Sequence, residues 1–107
     1  MHVSLHQQNI NINMKIEEII REKKGTILDV RTYSEFSGGH VAGSKNIPLD
    51  QVPEKLSEIK SLEKPLLLVC ASGNRSGQAT QYLTSLGVEC MNAGSWMDVN
   101  YYQSLNS

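Results

Sequence analysis

Four consecutive apolar residues, Leu66-Leu67-Leu68-Val69, constrain this chain more than any other feature. A strand with one wet face alternates apolar and polar residues. A run that is apolar at every position reads as a strand covered on both faces, as in a parallel sheet between helices. The run ends at Cys70, and small residues follow, Ala71-Ser72-Gly73-Asn74, which read as a loop. From Pro65 to Val88 the only charged residue is Arg75, whereas residues 15–64 carry nine positive and nine negative side chains that cancel.

The flanking segments alternate helical and extended patterns. Ile16, Ile19 and Ile20 recur at helical spacing within 14–24, with Asn13 and Gly25 as expected caps. Ile27-Leu28-Asp29-Val30 reads as a buried strand, Thr32 to Ser37 as a short helix stopped by Gly38-Gly39, and Gly43 to Leu49 as irregular or extended. Pro53 to Leu62 reads as a helix with proline near its start. Ser76 to Leu86 reads as a helix that places Ala79, Tyr82, Leu83 and Leu86 on its apolar stripe, with Gly87 as its stop. Val88 to Met91 is a further expected strand. Gly94 onward is an expected closing helix that carries Trp96, Val99, Tyr102 and, at its end, Leu105. Strands and helices alternating over about 100 residues imply an α/β sandwich with a largely parallel sheet. Ile10, Ile12 and Met14 alternate with asparagines as in a short strand. Residues 1–9 read as a polar N-terminal arm, and 10–107 as a single domain.

Composition removes several functions. With 10 Lys+Arg against 11 Asp+Glu and a pI near 6.3, there is no basic footprint for nucleic acid. No apolar run reaches the roughly 18 residues of a membrane span. Residues 1–13 contain no Lys or Arg and no apolar core of signal-peptide type, so a cytoplasmic location is expected. Cys70 and Cys90 do not form a disulfide framework, and no Cys/His spacing suggests zinc. No metal and no cofactor are expected, and the oligomeric state is open.

Cys70 stands where ligands bind in such sheets, at the carboxyl end of the most buried strand and just before a helix. Gly73 and Asn74 are residue types that take left-handed conformations readily, so the backbone can curl around the sulfur. Successive N–H groups in such a curl form an anion-binding nest, and the helix dipole and Arg75 add to it. All three favour a thiolate over a thiol, together with any anion attached to that sulfur. Free cysteines are often small buried hydrophobes. The C-x4-R spacing at a strand–loop–helix junction argues against that reading for Cys70. Cys90 shares strand parity with Val88 and is expected to be buried.

The run Cys70-Ala71-Ser72-Gly73-Asn74-Arg75-Ser76 resembles the active-site loop C-x-x-G-x-R-S of the rhodanese family. A second block from Leu28 to Leu49 contains Asp29-Val30-Arg31, Glu35-Phe36, Gly39-His40-Val41, Gly43 and Asn46-Ile47-Pro48. It is similar to that family's N-terminal signature D-V-R-x-x-x-E-[FY]-x-x-G-H-[IV]-x-G-[AS]-x-[NH]-[IL]-P. Asn92-Ala93-Gly94 matches the family's third block, although Ser95 replaces its usual second glycine. The resemblance covers roughly residues 10–105 and implies a rhodanese-like three-layer α/β/α sandwich. It also implies a sulfurtransferase. Cys70 would carry a persulfide, the loop N–H groups of Ala71, Ser72, Gly73, Asn74, Arg75 and Ser76 would hold it, and Arg75 would attract the donor. The implied partners are a small anionic sulfur donor, such as thiosulfate, and a thiol or protein acceptor. A persulfide carrier acting between proteins, with little activity on thiosulfate, is the alternative. Phosphatases of this fold carry C-x5-R, one residue longer than here, to surround a phosphoryl group.

Four residues are read as structural support of the site. Asp29 and Arg31 are charges that must be paired if buried. Glu35 lies i,i+4 from Arg31 and is the expected partner for it. His40 is expected to shape its loop by hydrogen bonding rather than to act as a base. Trp96, Tyr101 and Tyr102 are read as core and cap.

Overall fold

The protein is described by a computed structural model over residues 15–105. The expected strand at Ile10, Ile12 and Met14, the arm 1–9 and the cap Asn13 lie outside the described residues.

The apolar run forms the central strand β3, Leu66–Cys70, and all five residues are buried. β1 (Thr26–Asp29) and β4 (Cys90–Ser95) pair with it on either side, and β2 (Lys45–Asn46) extends β1, in the order β2-β1-β3-β4. All three pairings are parallel. Five helices complete the chain: α1 through 15–21, α2 (Tyr33–Ser37), α3 (Leu56–Ser61), α4 (Asn74–Ser85) and α5 (Trp96–Ser104). The first turn of the expected 53–62 helix is a 3-10 turn, Pro53–Lys55.

Side-chain alternation along β3 divides the interior into two cores. Leu66, Leu68 and Cys70 pack with Ile59 of α3 and with Ala79 and Leu83 of α4. Leu67 and Val69 pack with Ile16, Ile19 and Ile20 of α1 and with Val99 of α5. Helices on both faces of a parallel sheet make the expected three-layer α/β/α sandwich. Burying each of these leucines contributes about 1.5–3 kcal/mol.

Several local expectations are corrected. Helix α1 is ended by Lys23 in the left-handed region (φ 56), not by Gly25. Lys24 N–H donates to Ile19 O and Lys23 N–H to Ile20 O, which is the Schellman pairing. Gly25 has another reason to be glycine, since a Cβ there would overlap the Pro65 carbonyl oxygen where β1 starts beside β3. On α4 the buried positions are Ser76, Ala79 and Leu83, while Tyr82 and Leu86 are exposed, because the helix buries a narrower stripe than its periodicity suggests. β4 begins at Cys90, not Val88, and runs on to Ser95, so the closing helix starts at Trp96. Ser95 ends the strand and caps α5, accepting a hydrogen bond from Met97 N–H at 3.2 Å. Tyr101 and Leu105 are exposed, Leu105 lying just past the end of α5, while Trp96 and Tyr102 are half-buried against the second core.

Candidate active site

The loop after β3 wraps the sulfur of Cys70. Gly73 takes φ +97, a conformation that glycine alone adopts without strain, and this turns its N–H onto Cys70 Sγ at 3.0 Å. A Cβ on Gly73 would also press on Gly94 Cα at 3.3 Å. Helix α4 starts immediately afterwards, at Asn74, two residues earlier than its apolar pattern suggests, with Gly73 as its N-cap. The early start aims the first turn at the sulfur: Ser76 N–H and Ser76 Oγ each lie 3.4 Å from Sγ.

Burial pushes the Cys70 thiol up. When the Ser76 hydroxyl turns to the sulfur, it and the amides of Ser76, Ser72 and Gly73 act against burial, and the net result lowers the thiol from 9.0 to about 7. Alkylation of Cys70 by iodoacetamide should therefore rise with pH around a midpoint near 7 in a Cys90→Ser background. A midpoint near that of an ordinary thiol, about 8.5, would mean that the loop does not stabilise the anion.

Glu35 is the largest departure from the sequence reading. Arg31 reaches only its backbone carbonyl, Nη1 donating to Glu35 O at 3.4 Å; the Glu35 carboxylate instead grips Arg75 with two hydrogen bonds, at 2.7 and 3.0 Å, across 40 residues of sequence. Glu35 also closes a capping box with Thr32 at the start of α2. The bonds from Arg75 and Thr32 hold its carboxyl at about 2, so the pair stays charged at neutral pH. Arg75 keeps 34% of its side chain open to solvent.

Arg31 is instead paired with Asp29. Its Nη2 and Nε donate to the Asp29 carboxylate at 2.7 to 3.1 Å, and its backbone N–H donates to the same group at 3.0 Å. Both side chains are buried, and Arg31 Nη2 also donates to Gly39 O at 2.7 Å. The guanidinium lies 4.6 Å from the centroid of the Trp96 ring. This buried pair ties the end of β1 to the loop after α2. His40 stacks on Phe36, and its Nδ1 lies 2.7 Å from Phe36 O, so its ring engages α2.

Asn92 was missed as a site residue. Leu68 pairs with Asn92 but Val69 pairs with Gly94, so Ala93 is an extra residue in β4. This bulge leaves the Asn92 amide bound to the Cys70 loop: Nδ2 donates to Gly73 O at 3.0 Å, and Oδ1 accepts from Ser76 Oγ at 2.7 Å and from Gly94 N–H at 3.0 Å. The only available signal was the asparagine two residues before a glycine in the third block.

Cys90 is half-buried rather than fully buried. Its thiol lies 3.4 Å from Thr84 Oγ1 and donates to Thr80 O at 3.7 Å. Among the described residues, no group of three or more His, Cys, Asp and Glu side chains is placed to hold a metal. No helix among them is long and apolar enough to cross a membrane. A cavity of about 640 Å³ opens among Lys23, Thr26 and Gln103, and no residue of the Cys70 loop lines it. The geometry around the sulfur, not cavity size, thus marks the site.

Comparison with known proteins agrees with the strand–loop–helix geometry. The family description "Rhodanese-like domain" matches residues 14–100. The chain belongs to the rhodanese-like domain family. "Uncharacterized protein YqhL" of Bacillus subtilis is 39% identical over 84 residues, which cover 78% of this chain and 66% of that protein. "Thiosulfate sulfurtransferase GlpE" of Tolumonas auensis is 36% identical over 63 residues, 59% of this chain and 58% of that protein. The chain therefore spans less than two thirds of the length of these two relatives. The crystal structure of a rhodanese-related protein from Thermoplasma volcanium matches with a TM-score of 0.69 at 31% identity, covering 83% of this chain and 86% of that one. A two-residue β2 suffices because the loop it closes is held by Asp29, Arg31 and Asn46 rather than by a long ladder.

Proposed function

We propose that this rhodanese-like protein is a sulfurtransferase in which Cys70 is the nucleophile. The observation that carries the reading is the ring of donors from Gly73 and Ser76 around one sulfur, which lowers its pKa to about 7. Relatives named thiosulfate sulfurtransferase support the same chemistry.

In the first half-reaction the Cys70 thiolate attacks the outer sulfur of thiosulfate. A new S–S bond forms, the S–S bond of the donor breaks, and sulfite leaves with the electron pair. In the second, cyanide or a thiolate attacks the outer sulfur of the persulfide, and Cys70 leaves as a thiolate. No general base is needed, because the reactive form is already stabilised. The cysteine is buried, while Ala71, Ser72 and Asn74 above it are exposed, so the donor enters past small side chains. The same N–H groups that stabilise the thiolate support the persulfide.

Arg75 offers its open edge to the donor anion while Glu35 holds the opposite side. Arg75→Ala should lower kcat/KM for thiosulfate by about 10- to 100-fold, the range for losing a charged hydrogen bond. Its effect on unfolding should be small, because a partly exposed ion pair contributes about 0–1 kcal/mol. Unchanged kcat/KM would remove Arg75 from the binding role.

The ion pair also favours a second reading. Both arginines near Cys70 are already paired, Arg75 with Glu35 and Arg31 with Asp29. A doubly charged donor therefore meets no unpaired guanidinium there, which suits a carrier loaded by a protein or low-molecular-weight persulfide. A donor survey separates the two readings. Thiocyanate release from thiosulfate at a rate matching or exceeding that from glutathione persulfide supports the enzyme. Turnover with persulfides alone supports the carrier, and no sulfur transfer from either overturns both.

A further inference from the structure

Ser76 Oγ has one proton and two claimants. Oγ lies 2.7 Å from Asn92 Oδ1 and 3.4 Å from Cys70 Sγ. The orientation of the Asn92 amide is fixed by its other partners: Gly94 N–H can only donate, so it faces Oδ1, and Gly73 O can only accept, so it faces Nδ2. Oδ1 cannot donate in return, and the shorter contact therefore assigns the Ser76 proton to Asn92. In that rotamer Ser76 offers the sulfur a lone pair, which suits a thiol S–H. When Cys70 is a thiolate, the hydroxyl supports it only by turning away from Asn92.

We infer that Asn92 is a positioning residue that tunes Cys70 by competing with the sulfur for the Ser76 proton. The inference rests on Cys70 as nucleophile but concerns its titration, which can be read without sulfur transfer. Geometry favours a competitive role because Ser76 is fully buried, so no bulk water reaches its hydroxyl to make the choice irrelevant. After transfer, the hydroxyl turned to sulfur stabilises the departing thiolate, and a better-stabilised thiolate leaves faster. The rotamer held by Asn92 leaves the thiolate more basic and more nucleophilic, which suits taking sulfur up.

The charged group that acts on the sulfur is Arg75 on α4; Glu35 on α2 and Asp29 at the end of β1 act on Arg75, and Arg31 is paired with Asp29. None is altered in the test. In a Cys90→Ser background, the pH midpoint of iodoacetamide alkylation of Cys70 is measured for Asn92→Leu, Ser76→Ala and the double variant. Asn92→Leu should lower the midpoint by about 0.5–1 pH unit, the size of one hydrogen bond released to the sulfur. In the double variant the downward shift from Asn92→Leu should vanish, because no hydroxyl remains to compete for.

A purely structural role predicts the opposite sign. If Asn92 only braces Gly73, its loss loosens the amide cradle and raises the midpoint. A raised or unchanged midpoint in Asn92→Leu, or the same downward shift with and without Ser76, overturns the inference. If Asn92→Leu does not fold, Asn92→Asp replaces it and keeps the acceptor with a stronger pull. It should raise the midpoint, and by less in the Ser76→Ala background; an equal rise in both backgrounds overturns the inference. These results stand whether or not the protein turns over thiosulfate, so a failure of sulfur transfer is distinguishable from a failure of this inference.

Discussion

Cys70→Ser is expected to reduce thiocyanate release from thiosulfate and cyanide to the level without protein, a loss of at least about 10³-fold, as when an enzyme loses its nucleophile. Serine is only slightly smaller and keeps a hydrogen-bonding atom, so the loop is expected to keep its shape around Oγ. What it loses is the ionised form, because nothing in the loop brings a hydroxyl within reach of neutral pH. Cys90→Ser should retain most of the activity. Its thiol meets Thr80 O and Thr84 Oγ1 of α4, with no contact to the Cys70 loop among its hydrogen bonds. Equal activity in Cys70→Ser and the parent would mean that another group carries the sulfur.

Asp29→Ala is expected to be the most damaging stability change among the site's supporting residues. The Asp29 carboxylate is fully buried and accepts three kinds of bond from Arg31, whose own side chain is 5% exposed. Removing the carboxylate strands a buried guanidinium, and breaking such a pair costs about 3–5 kcal/mol. Against a total stability of about 5–15 kcal/mol, that loss leaves the domain marginal or unfolded. At about 4–8 °C per kcal/mol for a domain of this size, thermal unfolding should fall by 10 °C or more. Glu35→Ala offers a contrast, because its pair with Arg75 is more than one third exposed and should cost far less in stability. A Tm for Asp29→Ala within 2 °C of the parent would mean that the buried pair does not hold the 38–46 loop to the sheet.

What was legible in the sequence was local. Leu66 to Cys70 announced a doubly covered strand because every position is apolar, and the small residues after it announced a curled loop because few other types permit one. The pairing of Glu35 with Arg75 was not legible. Two plausible partners, Arg31 at i+4 spacing and Arg75 some 40 residues away, compete, and burial of Asp29 decides between them by claiming Arg31. Asn92 was hidden for a different reason. Its reach to Ser76 depends on an extra residue, Ala93, in β4, and pattern reading assumes unbroken alternation. The start of α4 was misplaced because Asn74 and Arg75 look like loop residues until Gly73 is seen to cap them. Tyr82 and Leu86 fit an apolar stripe but are exposed, because α4 buries only Ser76, Ala79 and Leu83.

The most direct measurement is the mass of the Cys70-containing peptide after the protein is treated with thiosulfate and then freed of excess donor. The account predicts that this peptide gains one sulfur atom, that cyanide removes it, and that the Cys90 peptide is unchanged. A sulfur found only on Cys90, or none on Cys70 when thiosulfate and persulfide donors are each supplied, would contradict it.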